Sequence, residues 1–200
     1  MKATIFLLSV FLSLASCSKD SSSSGFQLPP ETQVGANTFG CIINSKVIIP
    51  KNSVDSFSGY PVYGLNYSVS PNFGNPLFNE YFSIRIANII DKGHSYWIYI
   101  HINDMTNGIG DYTINQSNSE FYLDGPNNPE VIVRETLNGI SGKTFISANN
   151  AGIIKITRFD YPNKIISGLF NCVLYNRDNP NETIDVNQGR FDVNLGTLNQ

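Results

Sequence analysis

Two stretches decide the fold: Tyr81-Phe82-Ser83-Ile84-Arg85-Ile86-Ala87-Asn88 and Ser95-Tyr96-Trp97-Ile98-Tyr99-Ile100-His101-Ile102. In the first, Tyr81, Ser83, Arg85 and Ala87 point one way and Phe82, Ile84, Ile86 and Asn88 the other. In the second, Trp97, Tyr99 and His101 alternate with Ile98, Ile100 and Ile102. Period-two patterning places successive side chains on opposite faces of a strand. The expectation is one aliphatic face in the core and one aromatic-polar face, half exposed.

Working outward, almost every periodic segment repeats this pattern. Thr38–Ile43 and Lys46–Ile49 flank Asn44-Ser45, which reads as a tight hairpin, and Pro50 ends the second strand. Tyr63–Val69, Gly110–Ile114, Glu120–Leu123, Val131–Leu137, Gly152–Phe159, Lys164–Tyr175, Thr183–Val186 and Gly189–Leu195 complete the set. About ten strands joined by Gly, Pro and Asn turns, with no amphipathic helix and no fixed-period repeat, predict an all-β domain. A single antiparallel β-sandwich is the first expectation and a partly closed β-barrel the second.

The N-terminus reads as an address. Residues 1–16 carry Lys2, then an apolar run from Ile5 to Leu14, too short to span a bilayer, which needs roughly 20 residues. Leu14-Ala15-Ser16-Cys17 resembles the lipobox of bacterial lipoproteins. The resemblance implies diacylglycerol in thioether linkage on Cys17, with a further acyl chain such as palmitate on its amine. Two or more chains give stable anchoring, so the expected location is the cell envelope, as an outer-membrane lipoprotein. Residues 17–33, rich in Ser and ending in Leu28-Pro29-Pro30, read as a flexible tether, and residues 34–200 as one domain. Cys17-Ser18-Lys19-Asp20 resembles the start of surface-export signals of Bacteroidota-type lipoproteins; the alternative is a solvated spacer facing the periplasm.

Composition narrows the partners. Removing Lys2 with the first 16 residues leaves 12 basic residues against 16 acidic, a net charge of −4. That balance lacks the concentrated basic face nucleic acid requires. Charged residues make up only 14% of the chain while Asn occurs 25 times, so polarity comes from groups that need no counter-ion. With Cys17 lipidated, Cys41 and Cys172 remain. An even pair in an exported protein invites a disulfide, worth about 5 kcal/mol for so long a loop. The alternative is two buried thiols acting as small hydrophobes.

Thr38–Lys46, Gly110-Asp111-Tyr112, Ile153 with Lys155-Ile156-Thr157, Ile166–Phe170 and Gly189–Val193 together resemble an uncharacterised family of Bacteroidota-type lipoproteins, a domain of unknown function. That family usually carries Asn-Gly at the first hairpin, where this chain has Asn44-Ser45. The resemblance implies an exported, lipid-anchored β domain and transfers no catalytic residue.

Catalytic and metal motifs were sought residue by residue. Gly139–Thr144 ends like a P-loop, but Leu137 stands where the motif's first glycine belongs, so a β-turn is expected. His101 with Asp104 supplies two ligands where zinc takes three or four. Asp178–Glu182, and Asp124 with Asn127 and Asn128, lack the spacing of calcium loops. No Gly-x-Ser-x-Gly elbow occurs. The expectation is therefore a non-enzyme without metal or cofactor. Tyr96, Trp97, Tyr99, Tyr112 and Tyr122 are candidate ligand-binding aromatics, since rings on a strand face can stack on sugars or a partner; otherwise they pack on one another. Binding of a glycan or envelope protein leads, followed by a periplasmic assembly accessory without small ligand, then a hydrolase using two carboxylates.

Overall fold

The alternating stretches form adjacent antiparallel strands near one end of a curled sheet. The structure, a computed structural model, describes residues 27–54, 57–70, 81–88, 94–119, 128–137 and 140–200. The signal peptide, Cys17, most of the tether, Tyr122, Asp124, Asn127 and Gly139 lie outside these residues. The strands are β1 (Thr38–Ile43), β2 (Lys46–Ile48), β3 (Ser53–Val54), β4 (Pro61–Val62), β5 (Leu65–Val69), β6 (Phe82–Asn88), β7 (His94–Ile102), β8 (Gly110–Ile114), β9 (Glu130–Leu137), β10 (Ile140–Asp160), β11 (Ile165–Asn176) and β12 (Asn179–Asn194). No helix occurs among the described residues.

The order β2-β1-β12-β11-β10-β9-β7-β6-β5 runs through a single antiparallel sheet. The sheet curls into a half-barrel, so the all-β expectation holds. Its length comes from β10, which pairs with β11 along both halves but changes partner on its other edge. Residues 140–146 pair with β9 and residues 152–156 with β8. The fork is held by Ser147, whose hydroxyl donates to the Asn115 carbonyl (2.6 Å) and accepts from the Val131 amide (3.2 Å). Residues 140–144, expected as a turn, are the start of this strand, because β9 supplies the ladder partners that the local sequence does not reveal.

Curling lets the concave face fill itself. Phe82, Ile84 and Ile86 of β6 meet Ile98, Ile100 and Ile102 of β7 with Phe39, Ile154, Phe170 and Phe191 from across the sheet. Each such side chain contributes roughly 1.5–3 kcal/mol when fully buried. The convex face of β6 and β7 leaves Trp97 exposed and Tyr81 and Arg85 part-exposed, and is otherwise more closed than expected. Ser83, Tyr99 and His101 are closed in, and Tyr99 joins Ile132, Ile146 and the half-buried Tyr175 in a second cluster. The Asn44-Ser45 hairpin has positive φ at both central residues (46° and 69°), the type I′ geometry that matches strand twist.

The two ends of the strand order, β2 and β5, face each other across a seam. No ladder joins them; backbone segments do. The Lys51 amide donates to the Ala87 carbonyl (3.1 Å), and the Ala87 amide to the Gly64 carbonyl (2.7 Å). A Cβ on Gly64 would lie 2.4 Å from the Lys51 backbone nitrogen, so only glycine admits this approach. Farther along, the Tyr67 hydroxyl donates to the Leu195 carbonyl (2.6 Å) and the Asn199 amide group to the Leu65 carbonyl (2.8 Å).

The last part of the expected tether is docked. Asp192, 1% exposed, accepts from the Thr32 hydroxyl (2.7 Å), the amides of Val34 (3.0 Å), Gly35 (2.9 Å) and Ala36 (3.1 Å), and the Ser167 hydroxyl (2.7 Å). Arg190 reaches the Pro29 carbonyl and Glu31, and Arg158 the Gln33 carbonyl. Gly40 lets this strap lie flat, since a Cβ there would meet the Pro29 ring at 2.6 Å. Composition alone reads Pro and Ser as linker; the strap is held by groups some 160 positions away, which composition does not register.

Of the two readings of Cys41 and Cys172 the structure gives the second: no disulfide is formed, and both are free, buried thiols. Cys41 is on β1 and Cys172 on β11, with β12 between them. Two strand spacings are about 10 Å, beyond the roughly 7 Å Cα separation a disulfide spans. Burial pushes the Cys172 thiol up to about 12; burial, then the charge of Cys172, pushes Cys41 further in the same direction. At neutral pH both are therefore protonated and inert. Native protein should leave a thiol reagent unconsumed, and denaturation without reductant should expose both Cys41 and Cys172; protection persisting after denaturation would contradict the free-thiol assignment.

Asp192 makes stability pH-dependent. Burial alone would raise its pKa, but the hydrogen bonds from Thr32, Ala36, Ser167 and Gly35 outweigh burial and hold it below the ordinary range. A depressed carboxylate stabilises the fold above its unfolded-state pKa, about 3.9, and that contribution is lost as pH falls through the folded value. Asp192→Asn should cost about 2–4 kcal/mol near neutrality, because its amide presents donors to donors, and should flatten the acid limb of a stability-versus-pH curve measured by urea unfolding. An unchanged acid limb would show that the carboxylate is not the group responsible.

Candidate functional site

The seam leaves a groove of about 630 Å³, within the range of small-ligand sites. The entering chain contributes Gln27 and Pro29, and β1 contributes Thr38 and Phe39, preceded by Asn37. Ile49, Pro50 and Asn52 follow β2, Tyr63 follows β4, Leu65 begins β5, and Leu198, Asn199 and Gln200 close the end. The groove stays open because the two sheet ends do not pair: Pro50 lacks the amide a ladder requires.

The lining has a distinct chemistry. Five amide side chains, Gln27, Asn37, Asn52, Asn199 and Gln200, stand among Tyr63, Phe39, Thr38, two prolines and aliphatic groups, and among the described residues no charged side chain lines the groove. Three of the amides are held in place by the fold. Asn37 accepts from the Asn194 amide (2.8 Å) and donates to Thr197 (3.1 Å). Asn52 accepts from the Gly64 amide (2.9 Å), leaving its NH₂ donors. Asn199 donates to the Leu65 carbonyl and to Asn66 Oδ1 (3.1 Å), leaving its oxygen as an acceptor. Such a surface offers directional donors and acceptors beside the Tyr63 ring.

The aromatic candidates do not converge. Tyr96 and Tyr112 lie in the concave core, Tyr112 donating to the Gly108 carbonyl (2.7 Å), while Tyr99 lies in the convex cluster. Trp97, 38% exposed, is on the convex face of β7, pointing away from Tyr96. Consecutive strand residues face opposite ways, so Tyr96, Trp97 and Tyr99 could never make one platform with Tyr112.

The ion-site candidates are spent locally. His101 Nδ1 meets the Ser83 hydroxyl at 2.7 Å and the Tyr99 hydroxyl at 3.4 Å, with the Tyr81 ring 5.9 Å away. Asp104 instead accepts from the Thr106 amide (2.9 Å) and hydroxyl (2.6 Å). Ser83 and His101 are both buried, which makes this a satisfied polar network inside the convex cluster. His94 pairs with Glu135 and stacks on Tyr96. In Asp178–Glu182, Asp178 binds Arg177 and Glu182 binds Lys143 and Asn176.

Sequence reading did not single out Gln27, Asn37, Asn52, Tyr63, Asn199 or Gln200. The one signal was the abundance of Asn, which says nothing about which amides meet. No known protein family, curated protein or solved structure matches the chain.

Proposed function

We propose that this protein is a lipid-anchored component of the bacterial cell envelope that binds an uncharged glycan, non-covalently, in the seam groove. The observation that carries the reading is the groove's lining: five amides, three of them held by the fold, the Tyr63 ring and, among the described residues, no charged side chain. Sugars present hydroxyls that both donate and accept, and apolar C–H faces that lie on rings. Amide side chains satisfy the first and Tyr63 the second. A phosphorylated or acidic ligand would find no cation to pair with, and desolvating its charge there would be unfavourable.

The anchor supports the same reading. Lipidation on Cys17 would hold the domain at a membrane surface, where envelope polysaccharide is concentrated, so modest affinity suffices.

Screening against neutral and acidic oligosaccharides should give binding to a neutral class only. Within that class Tyr63→Ala should weaken binding about tenfold, the loss of one stacking contact, and Gln200→Ala several-fold. Absence of any neutral ligand, or binding indifferent to both substitutions, would sink the proposal. Replacing Cys17 with Ala should move the full chain from the membrane to the soluble fraction. Retention on the membrane after a salt wash would show that something else attaches it.

A further inference from the structure

Four of the groove's lining residues gather on one short piece of backbone, Tyr63-Gly64-Leu65. Tyr63 and Leu65 line the groove directly. Asn52 is tied to Gly64, its Oδ1 accepting from the amide (2.9 Å), and Asn199 to Leu65, its Nδ2 donating to the carbonyl (2.8 Å). The two anchoring residues are consecutive, so their α-carbons lie about 3.8 Å apart.

These ties fix which way each carboxamide faces. A backbone N–H can only donate, so the Asn52 atom against Gly64 is oxygen; a backbone carbonyl can only accept, so the Asn199 atom against Leu65 is nitrogen. A second bond agrees. Asn199 Nδ2 also donates to Asn66 Oδ1 (3.1 Å), whose own Nδ2 donates to the Tyr63 carbonyl (2.7 Å). Both hydrogens of Asn199 are thereby used, and its oxygen is left for a ligand. At Asn52 the oxygen is used, and among the described residues nothing takes its two hydrogens. The groove therefore presents donors at Asn52 and an acceptor at Asn199, and neither can swap roles by rotating.

A sugar hydroxyl donates and accepts through one oxygen, so it gains little from this fixed order. A secondary amide carries its acceptor and its donor on separate atoms and adds a methyl group. Ile49, Leu65 and Leu198 supply apolar wall for that methyl in the same groove. A free amino sugar would bring a cation, and among the described residues no carboxylate side chain lines the groove to receive it.

We infer that the groove selects acetamido sugars: the acetamido carbonyl accepts from Asn52 Nδ2, its N–H donates to Asn199 Oδ1, its methyl lies against Leu65, and the ring that bears it stacks on Tyr63. The inference rests on the neutral-glycan reading and narrows it to one substituent.

The test titrates the full chain, in detergent micelles, with two matched pairs of neutral trisaccharides. One is fully N-acetylated chitotriose against cellotriose, and the other is the corresponding pair in the galacto configuration. Within a pair, only the acetamido or hydroxyl group on each ring differs. The acetamido member of at least one pair should bind about tenfold more tightly, the worth of one better-matched hydrogen bond and a buried methyl. Asn52→Asp keeps the oxygen that Gly64 requires and removes both donors. It should erase the tenfold ratio, because an acetamido carbonyl would then face a carboxylate to which a hydroxyl can still donate. The ratio is the readout, since general damage to the fold would weaken both members alike. Equal affinity within both pairs, or a preference that Asn52→Asp leaves intact, overturns the acetamido assignment. So does binding of other neutral oligosaccharides but of neither acetamido member. In those cases the neutral-glycan reading stands as long as Tyr63→Ala weakens whichever neutral sugar binds; failure of every neutral oligosaccharide overturns both.

Discussion

A single sheet that curls on itself must do something with its two edges, and the solution adopted at the β2–β5 seam shapes most of what is distinctive here. Exposed edges invite pairing with other chains, and full barrel closure would remove them. Pro50 interrupts the edge just beyond β2, so closure by a ladder fails. Backbone bridges through Lys51, Ala87 and Gly64, and the C-terminal turn through Leu195 and Asn199, substitute for it. Irregular backbone then lines the gap, and irregular backbone brings the asparagines that turns favour. The groove is thus a consequence of incomplete closure, and its uncharged polarity is a consequence of what fills it.

Asp192 works on the other side of β1. A buried carboxylate would be costly by itself, yet here it gathers three consecutive backbone amides and two hydroxyls and so fixes residues 32–36 against the sheet. That contact sets where the chain leaves the domain. The strap runs back over Gly40 toward Gln27 and delivers the N-terminal segment to the groove's wall. One carboxylate therefore couples stability to the course of the N-terminal segment, since loosening it would release both the sheet's cover and the strap.

The polar groups inside the fold follow the same logic of local satisfaction. Ser147 holds the fork where β10 exchanges β9 for β8, and Ser83, Tyr99 and His101 satisfy one another on the convex face. Cys41 and Cys172 contribute packing instead of a cross-link. Stability in this domain comes from a large aliphatic core and hydrogen-bonded edges, with no covalent bridge between the two core cysteines.

Strand positions were legible in the residues themselves, because period-two alternation at Tyr81–Asn88 and Ser95–Ile102 is a local property that needs no partner to be read. So was the Asn44-Ser45 hairpin, since a two-residue polar break between period-two strands marks a turn, although positive φ at Ser45 is not a preference of serine and was set by the ladder. The all-β class followed from those signals alone. The partial burial of the convex face, the docking of residues 28–36, the separation of Cys41 from Cys172 and the meeting of Asn37, Asn52, Tyr63 and Asn199 were decided only by tertiary structure. Each depends on which strands become neighbours, and those neighbours come from distant parts of the chain: Thr38 opposes Asp192, and Leu65 meets Asn199. Alternation tells a residue which face it is on; only the curl of the assembled sheet tells that face what it will touch.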